Sequence, residues 1–157
     1  MKLNIGISEE NQKNIAHTLN TLLADEYILY TKTLNYHWNV RGIMFNDLHL
    51  FFEKQYRQLF DVIDDVAERV RSIGQRSLGT LTEFQTHSRF AQEDAITPEG
   101  KEMIKNLLND HETIIRSLRT DIDKIANIYQ DIGTNNFLTE LLEKHEKMAW
   151  MLRSYLS

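Results

Sequence analysis

The sequence predicts an all-α protein: a bundle of four long helices with a short extra helix in the connection between the second and third. Three observations predict it. One proline and six glycines punctuate 157 residues, so the periodic segments are long. Apolar residues such as Ile15, Leu19, Leu22, Leu23 and Leu29 recur at the spacing of one buried helical face. Residues 74 to 96 are too many for a bundle turn, and they carry a capping-box pattern of their own.

Each element follows from its boundary residues. Ser8 is the expected N-cap of a first helix running to about Val40, where Arg41-Gly42 ends it, glycine taking the left-handed turn at least cost. In Phe45-Asn46-Asp47, Asn46 is read as the cap of the second helix, Asp47 as favourable in its first turn, and Phe45 as stapling onto Leu50. That helix is expected to reach about Ile73 and stop at Gly74. Thr80-Leu-Thr-Glu83 opens the short helix, predicted near residues 81 to 91. Thr97-Pro98 is a cap followed by proline at the first helical position, starting a third helix that reaches about Tyr129. After Asp131-Ile-Gly133-Thr134 a fourth helix takes the chain to about Tyr155. Four long helices with one long crossover is the ferritin-like connectivity. No internal repeat, low-complexity segment or second domain is visible, so residues 1 to 157 are read as one domain with residues 1 to 7 as a short tail.

Composition narrows the function. Hydrophobic residues are 41% and charged residues 26%, ordinary for a soluble chain. There is no apolar run long enough to span a bilayer and no secretory start, which predicts a cytoplasmic protein without a membrane partner. There is no cysteine, which removes disulfides, thiolate catalysis and thiolate zinc sites, and leaves histidine and carboxylates as the strong metal ligands. The net charge of −5 argues against a basic footprint for nucleic acid.

His49, Glu53, Asp64 and Glu68 fall within a sector of about 100° on the second helix. On a solvated face such a stripe has no further meaning. Tyr56, Phe60 and Ala67 lie within it, however, and the apolar side, from Leu48 and Phe52 to Val66 and Val70, centres only about a third of a turn away. A partly apolar stripe beside the core is where a neighbouring subunit would sit. Glu53 and Asp64 are about 16 Å apart along the helix axis, too far for one ion. An antiparallel symmetry mate closes the gap. With the two-fold axis near residues 58 and 59, His49 faces the mate's Glu68 and Glu53 faces the mate's Asp64.

His37 and His49 lie equally far on either side of residue 43, so a hairpin bending there brings both imidazoles to one level. Either histidine alone reads as a cap or a packed ring. Pooled, His37, His49 and Glu53 from one chain with Asp64 and Glu68 from the other make a nitrogen and oxygen shell suited to iron, manganese or zinc rather than calcium. A di-iron centre inside one bundle needs Glu-x-x-His on two helices, and the motif is absent from the sequence. His17, His87, His111 and His145 lack such partners and are read as surface or packed residues.

The segment Tyr36-His37-Trp38-Asn39-Val40-Arg41-Gly42, followed by Phe45, Leu48-His49, Phe52-Glu53 and Asp64-Asp-Val-Ala-Glu68-Arg69, resembles the Dps family of mini-ferritins, the DNA-binding proteins from starved cells. The resemblance covers essentially the whole chain, including Glu146-Lys-Met-Ala-Trp150-Met-Leu-Arg153. It implies a hollow homododecamer with ferroxidase centres at its dimer interfaces, His37, His49 and Glu53 coming from one subunit and Asp64 and Glu68 from its mate. It further implies that ferrous iron is oxidised there, preferably by hydrogen peroxide, and stored inside as ferric mineral, which protects the cell and its DNA. The five ligands suffice for one or two irons per site, two at most, and zinc or manganese could substitute. Trp38, beside His37, reads either as a redox-active electron donor or as an interface aromatic. Asp61 and Asp65 flank the stripe and would draw in cations or pair with Arg57 and Arg69. Acidic three-fold pores, a further implication of the resemblance, make Asp121 and Asp131 candidates, although Asn135-Asn136 stand where many relatives place an acid.

The DNA-binding half of the family's name fits this chain less well. Residues 1 to 7 hold the single Lys2, and the negative net charge repels a polyanion, so little or no direct DNA binding is expected. The alternative is a non-catalytic, nucleoid-associated scaffold built from the same shell, and a metal buffer without redox turnover is a third reading.

Overall fold

The computed structural model of the chain describes residues 3–90 and 99–157. Its elements are α1 (Glu9–Asn39), α2 (Phe45–Ser72), α3 (Leu81–His87), α4 (Gly100–Lys124) and α5 (Ile132–Ser154), with one π-helical turn, Ile125–Tyr129, at the end of α4. α1 packs along α2, and α4 packs along α5. The two hairpins meet through α1 with α4 and α2 with α5, while α3 lies against α1. This is the ferritin-like bundle, with its long crossover between α2 and α4.

The caps explain most boundaries. Ser8 is extended and its hydroxyl accepts from the Asn11 amide, so α1 begins where expected. Thr80 and Glu83 form a complete reciprocal capping box on α3. Gly74, at φ 84°, closes α2 with the Gln75 amide donating to the Val70 carbonyl, the six-to-one bond of a Schellman motif.

Two boundaries and one staple differ from the sequence prediction. α2 starts at Phe45 with Met44 as the capping residue and no side-chain cap bond, so Asn46 is already helical. The tight turn from Gly42, whose carbonyl accepts from the Phe45 amide, leaves no extended residue at position 46 to act as a cap. Phe45 does not staple onto Leu50; its ring stacks on His49 at 5.1 Å, and both Phe45 and Leu50 are exposed. α3 ends at His87 rather than near 91, because Ser88 turns extended and the buried Asp25 carboxylate captures the Ser88 hydroxyl, the Arg89 amide and the Arg89 guanidinium. The expected Thr97-Pro98 start of the next helix lies outside the described residues; α4 is described from Gly100, with Glu99 as its extended cap.

The core runs the length of the bundle. Leu19, Leu22 and Leu29 from α1, Phe52, Leu59 and Val66 from α2, Leu107 and Leu118 from α4, and Leu138 and Leu152 from α5 are completely buried. Burying side chains of this size contributes about 1.5–3 kcal/mol each, so the four stripes hold α1 and α2 in fixed register. That register positions the histidines. Among the described residues, no helix is long and apolar enough to cross a membrane.

Candidate metal centre

His37 lies in the last turn of α1 and His49 in the second turn of α2, and the hairpin brings their rings face to face, centroids 3.9 Å apart and planes 20° from parallel. The Nδ1 of His37 donates to the His49 carbonyl at 2.8 Å, and the Nδ1 of His49 donates to the His37 carbonyl at 2.9 Å. A carbonyl only accepts, so Nδ1 is the donor in both rings, and in the neutral imidazole Nε2 is then the nitrogen that carries the free lone pair. Such outer bonds fix the tautomer and the ring orientation of metal-binding histidines. The turn of 40–44 therefore does more than reverse the chain: it presets two nitrogen donors.

Glu53 lies one helical turn beyond His49. Arg57 donates to its Oε1 from both Nε, at 3.0 Å, and a terminal nitrogen, at 2.6 Å. That hydrogen bond holds the Glu53 carboxyl below its ordinary value, against some desolvation, with help from the charges of Arg57, His37 and His49. Both guanidinium bonds fall on one oxygen, which leaves Oε2 for another partner. His37 and His49 are in contact, and Glu53 lies one turn along α2, close enough for their charges to act on its carboxyl.

Asp64 and Glu68 stand apart from these residues. Both are exposed, on the same helix but about 16 Å or more further along its axis. Among the described residues, no three histidine or carboxylate side chains of this chain could hold a metal ion as they stand. Around the imidazole pair the surface is unusually apolar: Trp38 is 67% exposed, Phe60 59% and Ile43 fully exposed. Asp61 and Asp65 take neither Arg57 nor Arg69. Asp65 instead faces Lys144 of α5 at 3.6 Å, and Arg69 pairs with Asp131 at 3.2 Å.

The two pore candidates sit on either side of the π-helical turn. Asp131 is the N-cap of α5 and accepts from the Gly133 and Thr134 amides, the Thr134 hydroxyl and Arg69. Its burial raises the carboxyl, but the Thr134 and Arg69 interactions outweigh that and leave it below its ordinary value. Asp121 is raised by burial, only partly offset by Arg89 and Lys124.

One constellation was missed at the sequence level. His111 of α4 and His145 of α5 are fully buried, Nδ1 to Nδ1 at 2.9 Å, and the Nε2 of His145 bonds the equally buried Glu26 of α1 at 2.8 Å. Each sits at core spacing, Glu26 between Leu22 and Leu29, His111 between Leu107 and Ile114, and His145 between Leu141 and Met148. A polar residue on a core stripe is the signal that would have found them. The far ends of this hydrogen-bonded line, Glu26 Oε2 and His111 Nε2, have no hydrogen-bond partner among the described residues.

With this geometry in view, comparison with known proteins is informative. Residues 16–157 match the ferritin-like domain family. The chain is 41% identical to a low temperature-induced protein of Nostoc over 99% of its own length and 87% of the relative. It is 34% identical to DNA protection during starvation protein 2 of Bacillus anthracis, over 92% of this chain and 98% of that one. Among solved structures it superposes on the Dps protein of Vibrio cholerae, described as a member of a broad superfamily of ferritin-like diiron-carboxylate proteins, with a TM-score of 0.92, 27% identity and coverage of 100% and 98% of the two chains. Fold, motif and relatives agree that this chain belongs to the Dps family of the ferritin-like superfamily.

Proposed function

We propose that the protein is an iron-storing ferroxidase whose centres form between subunits. His37, His49 and Glu53 of one subunit and Asp64 and Glu68 of its two-fold mate bind ferrous iron as substrate. Hydrogen peroxide is the preferred oxidant, and the ferric product is stored inside a hollow dodecamer. The observation that carries this reading is the reciprocal bonding of His37 and His49, which leaves two imidazole lone pairs free beside a carboxylate while the remaining acids of the stripe stand too far along the helix to join them.

The chemistry follows from the donors. Neutral Nε2 atoms and carboxylate oxygens suit ferrous iron, with zinc or manganese as competitors. Glu53 stays ionised because Arg57 stabilises its charge, so no proton need leave before a cation arrives. Two irons held together would give peroxide both electrons at once and release no hydroxyl radical. The exposed Trp38, Ile43 and Phe60 support an interface over this face. Several relatives are named for DNA protection during starvation. With a net charge of −5 per chain, such protection here would come from removing iron and peroxide in the cytoplasm rather than from coating DNA.

The test adds ferrous iron anaerobically and then peroxide, following ferric absorbance together with the size of the product particle. Ferric formation well above the protein-free rate is expected, with loss in His49→Ala and in Asp64→Ala. A wild-type rate equal to that of free solution would remove the ferroxidase reading. A protein that shifts DNA at low salt but oxidises no iron would favour the scaffold alternative.

A further inference from the structure

Glu53 is not bare in the single chain. The Arg57 guanidinium, one turn further along α2, donates to Glu53 Oε1 from Nε at 3.0 Å and from a terminal nitrogen at 2.6 Å. A guanidinium at hydrogen-bond distance from one carboxylate oxygen stands a few ångströms from any cation on the other, and repels it. The hold is weak, however: the Arg57 side chain is 67% exposed, and a surface pair of this i,i+4 kind is readily exchanged. One turn beyond Arg57 is Asp61, exposed and, among the described residues, without an ion pair. Lys144, which lines a groove with it, pairs with Asp65 instead. Arg57 and Asp61 sit at about 40° and 80° from Glu53 around the helix, on one side of the stripe. A two-fold axis near residues 58 and 59 keeps that side in common between the two chains. Along the helix it brings the mate's Asp61 within about 1.5 Å of the level of Arg57, whereas the mate's Asp64 is about 6 Å away and level with Glu53.

We propose that Arg57 is a positioning residue for the metal centre: in the free chain it occupies Glu53, and in the assembled dimer it passes to Asp61 of the mate, leaving Glu53 bare for iron. This rests on the ferroxidase reading and its two-fold sites. The total charge is the same before and after, and what changes is which carboxylate is left unpaired. Before pairing, the half-site of neutral His37 and His49 with Glu53 and Arg57 has no net charge to draw a divalent cation. After it, Glu53 faces the mate's Asp64 and Glu68 with no guanidinium among them, and the pair of Arg57 with the mate's Asp61 lies to one side. The exchange also spares the interface a lone carboxylate, which is costly once covered. Assembly thus completes the centre in two ways, by supplying two acids and by withdrawing one guanidinium.

The experiment is a double-mutant cycle on the assembled protein with Arg57→Gln, Asp61→Asn and the two together. Anaerobic calorimetry at pH 7 measures ferrous binding, with zinc as a probe that cannot be oxidised, and light scattering follows the assembly of each variant. Asp61→Asn should weaken binding severalfold, because Arg57 then stays on Glu53. Arg57→Gln should bind at least as tightly as the wild type, and in that background Asp61→Asn should change nothing. An equal loss from Asp61→Asn in both backgrounds would mean that Asp61 acts by its own charge, and would overturn the exchange. Weaker binding in Arg57→Gln, unchanged binding in Asp61→Asn, or a failure of Asp61→Asn to assemble that Arg57→Gln does not rescue would overturn it as well. A wild-type protein that binds no ferrous iron would overturn the ferroxidase reading itself, which keeps the two failures apart.

Discussion

His111 shows how much a single buried side chain can set. Its ring is fully buried, and desolvation, with the neighbouring His145, pushes its pKa well below the ordinary histidine value. The folded protein therefore holds His111 neutral, whereas the unfolded chain protonates it below about pH 6.5. In that window the unfolded state binds more protons, so stability rises with pH and is lost as the pH falls below about 6.5. Calorimetric melting temperatures should fall more steeply between pH 6.5 and 5 in the wild type than in His111→Leu, which cannot take up that proton. Parallel curves would mean that His111 does not carry the dependence. His37 and His49 differ in kind: their Nδ1 atoms bond backbone carbonyls, while the Nδ1 atoms of His111 and His145 bond each other and the Nε2 of His145 bonds Glu26. The same residue type serves beside the chain-reversing turn and deep in the core, and partner chemistry sets what each ring can still bind.

At the scale of elements, the contact between α1 and the end of α3 is the most testable. Asp25 is 1% exposed and accepts from the Arg89 amide and Nε, each at 2.6 Å, and from the Ser88 hydroxyl at 2.9 Å. Asp25→Ala removes the buried acceptor of the Arg89 amide and the Ser88 hydroxyl, while the one-third-exposed Arg89 guanidinium keeps Asp121 at 3.8 Å, so a loss of about 1–3 kcal/mol is expected. The effect should be local first: faster hydrogen exchange at the Arg89 amide and across α3, with the α1–α2 hairpin protected as before. Uniformly faster exchange would argue that α3 is part of the global unfolding unit. This contact also marks a limit of the sequence. Caps such as Ser8 and Thr80 were legible because their bonds close within three residues. The end of α3 was not legible, since Asp25 lies more than sixty residues from Arg89. The π-helical turn was equally hidden: it continues the apolar spacing of α4, and only Gln130 at φ 54° shows where the helix breaks. Of the candidate site, the hairpin matching of His37 with His49 was legible from equal spacing, whereas the mutual Nδ1 bonds depend on ring orientation, which sequence does not encode locally.

At the scale of the whole molecule, the proposed centre divides between subunits in a way that makes two inactive proteins mutually corrective. His49→Ala disables the nitrogen side of every site, and Asp64→Ala with Glu68→Ala disables the acid side. In a two-fold dimer of one variant, both sites combine an intact half with a broken half. A dimer containing one of each variant is different. One of its sites joins the two broken halves, and the other joins the intact imidazoles and Glu53 of the acid variant to the intact Asp64 and Glu68 of the histidine variant. Random pairing makes half the dimers mixed, and each mixed dimer carries one whole site of two, so co-expression should restore about a quarter of wild-type ferroxidase activity. Mixing after purification should restore none unless the dimers are first dissociated. A centre built within one chain behaves otherwise, because each variant would then lack a ligand in its only site and no pairing could supply it. Recovered peroxide-driven oxidation in the co-expressed protein, against none in either parent, would therefore mean that assembly completes the site.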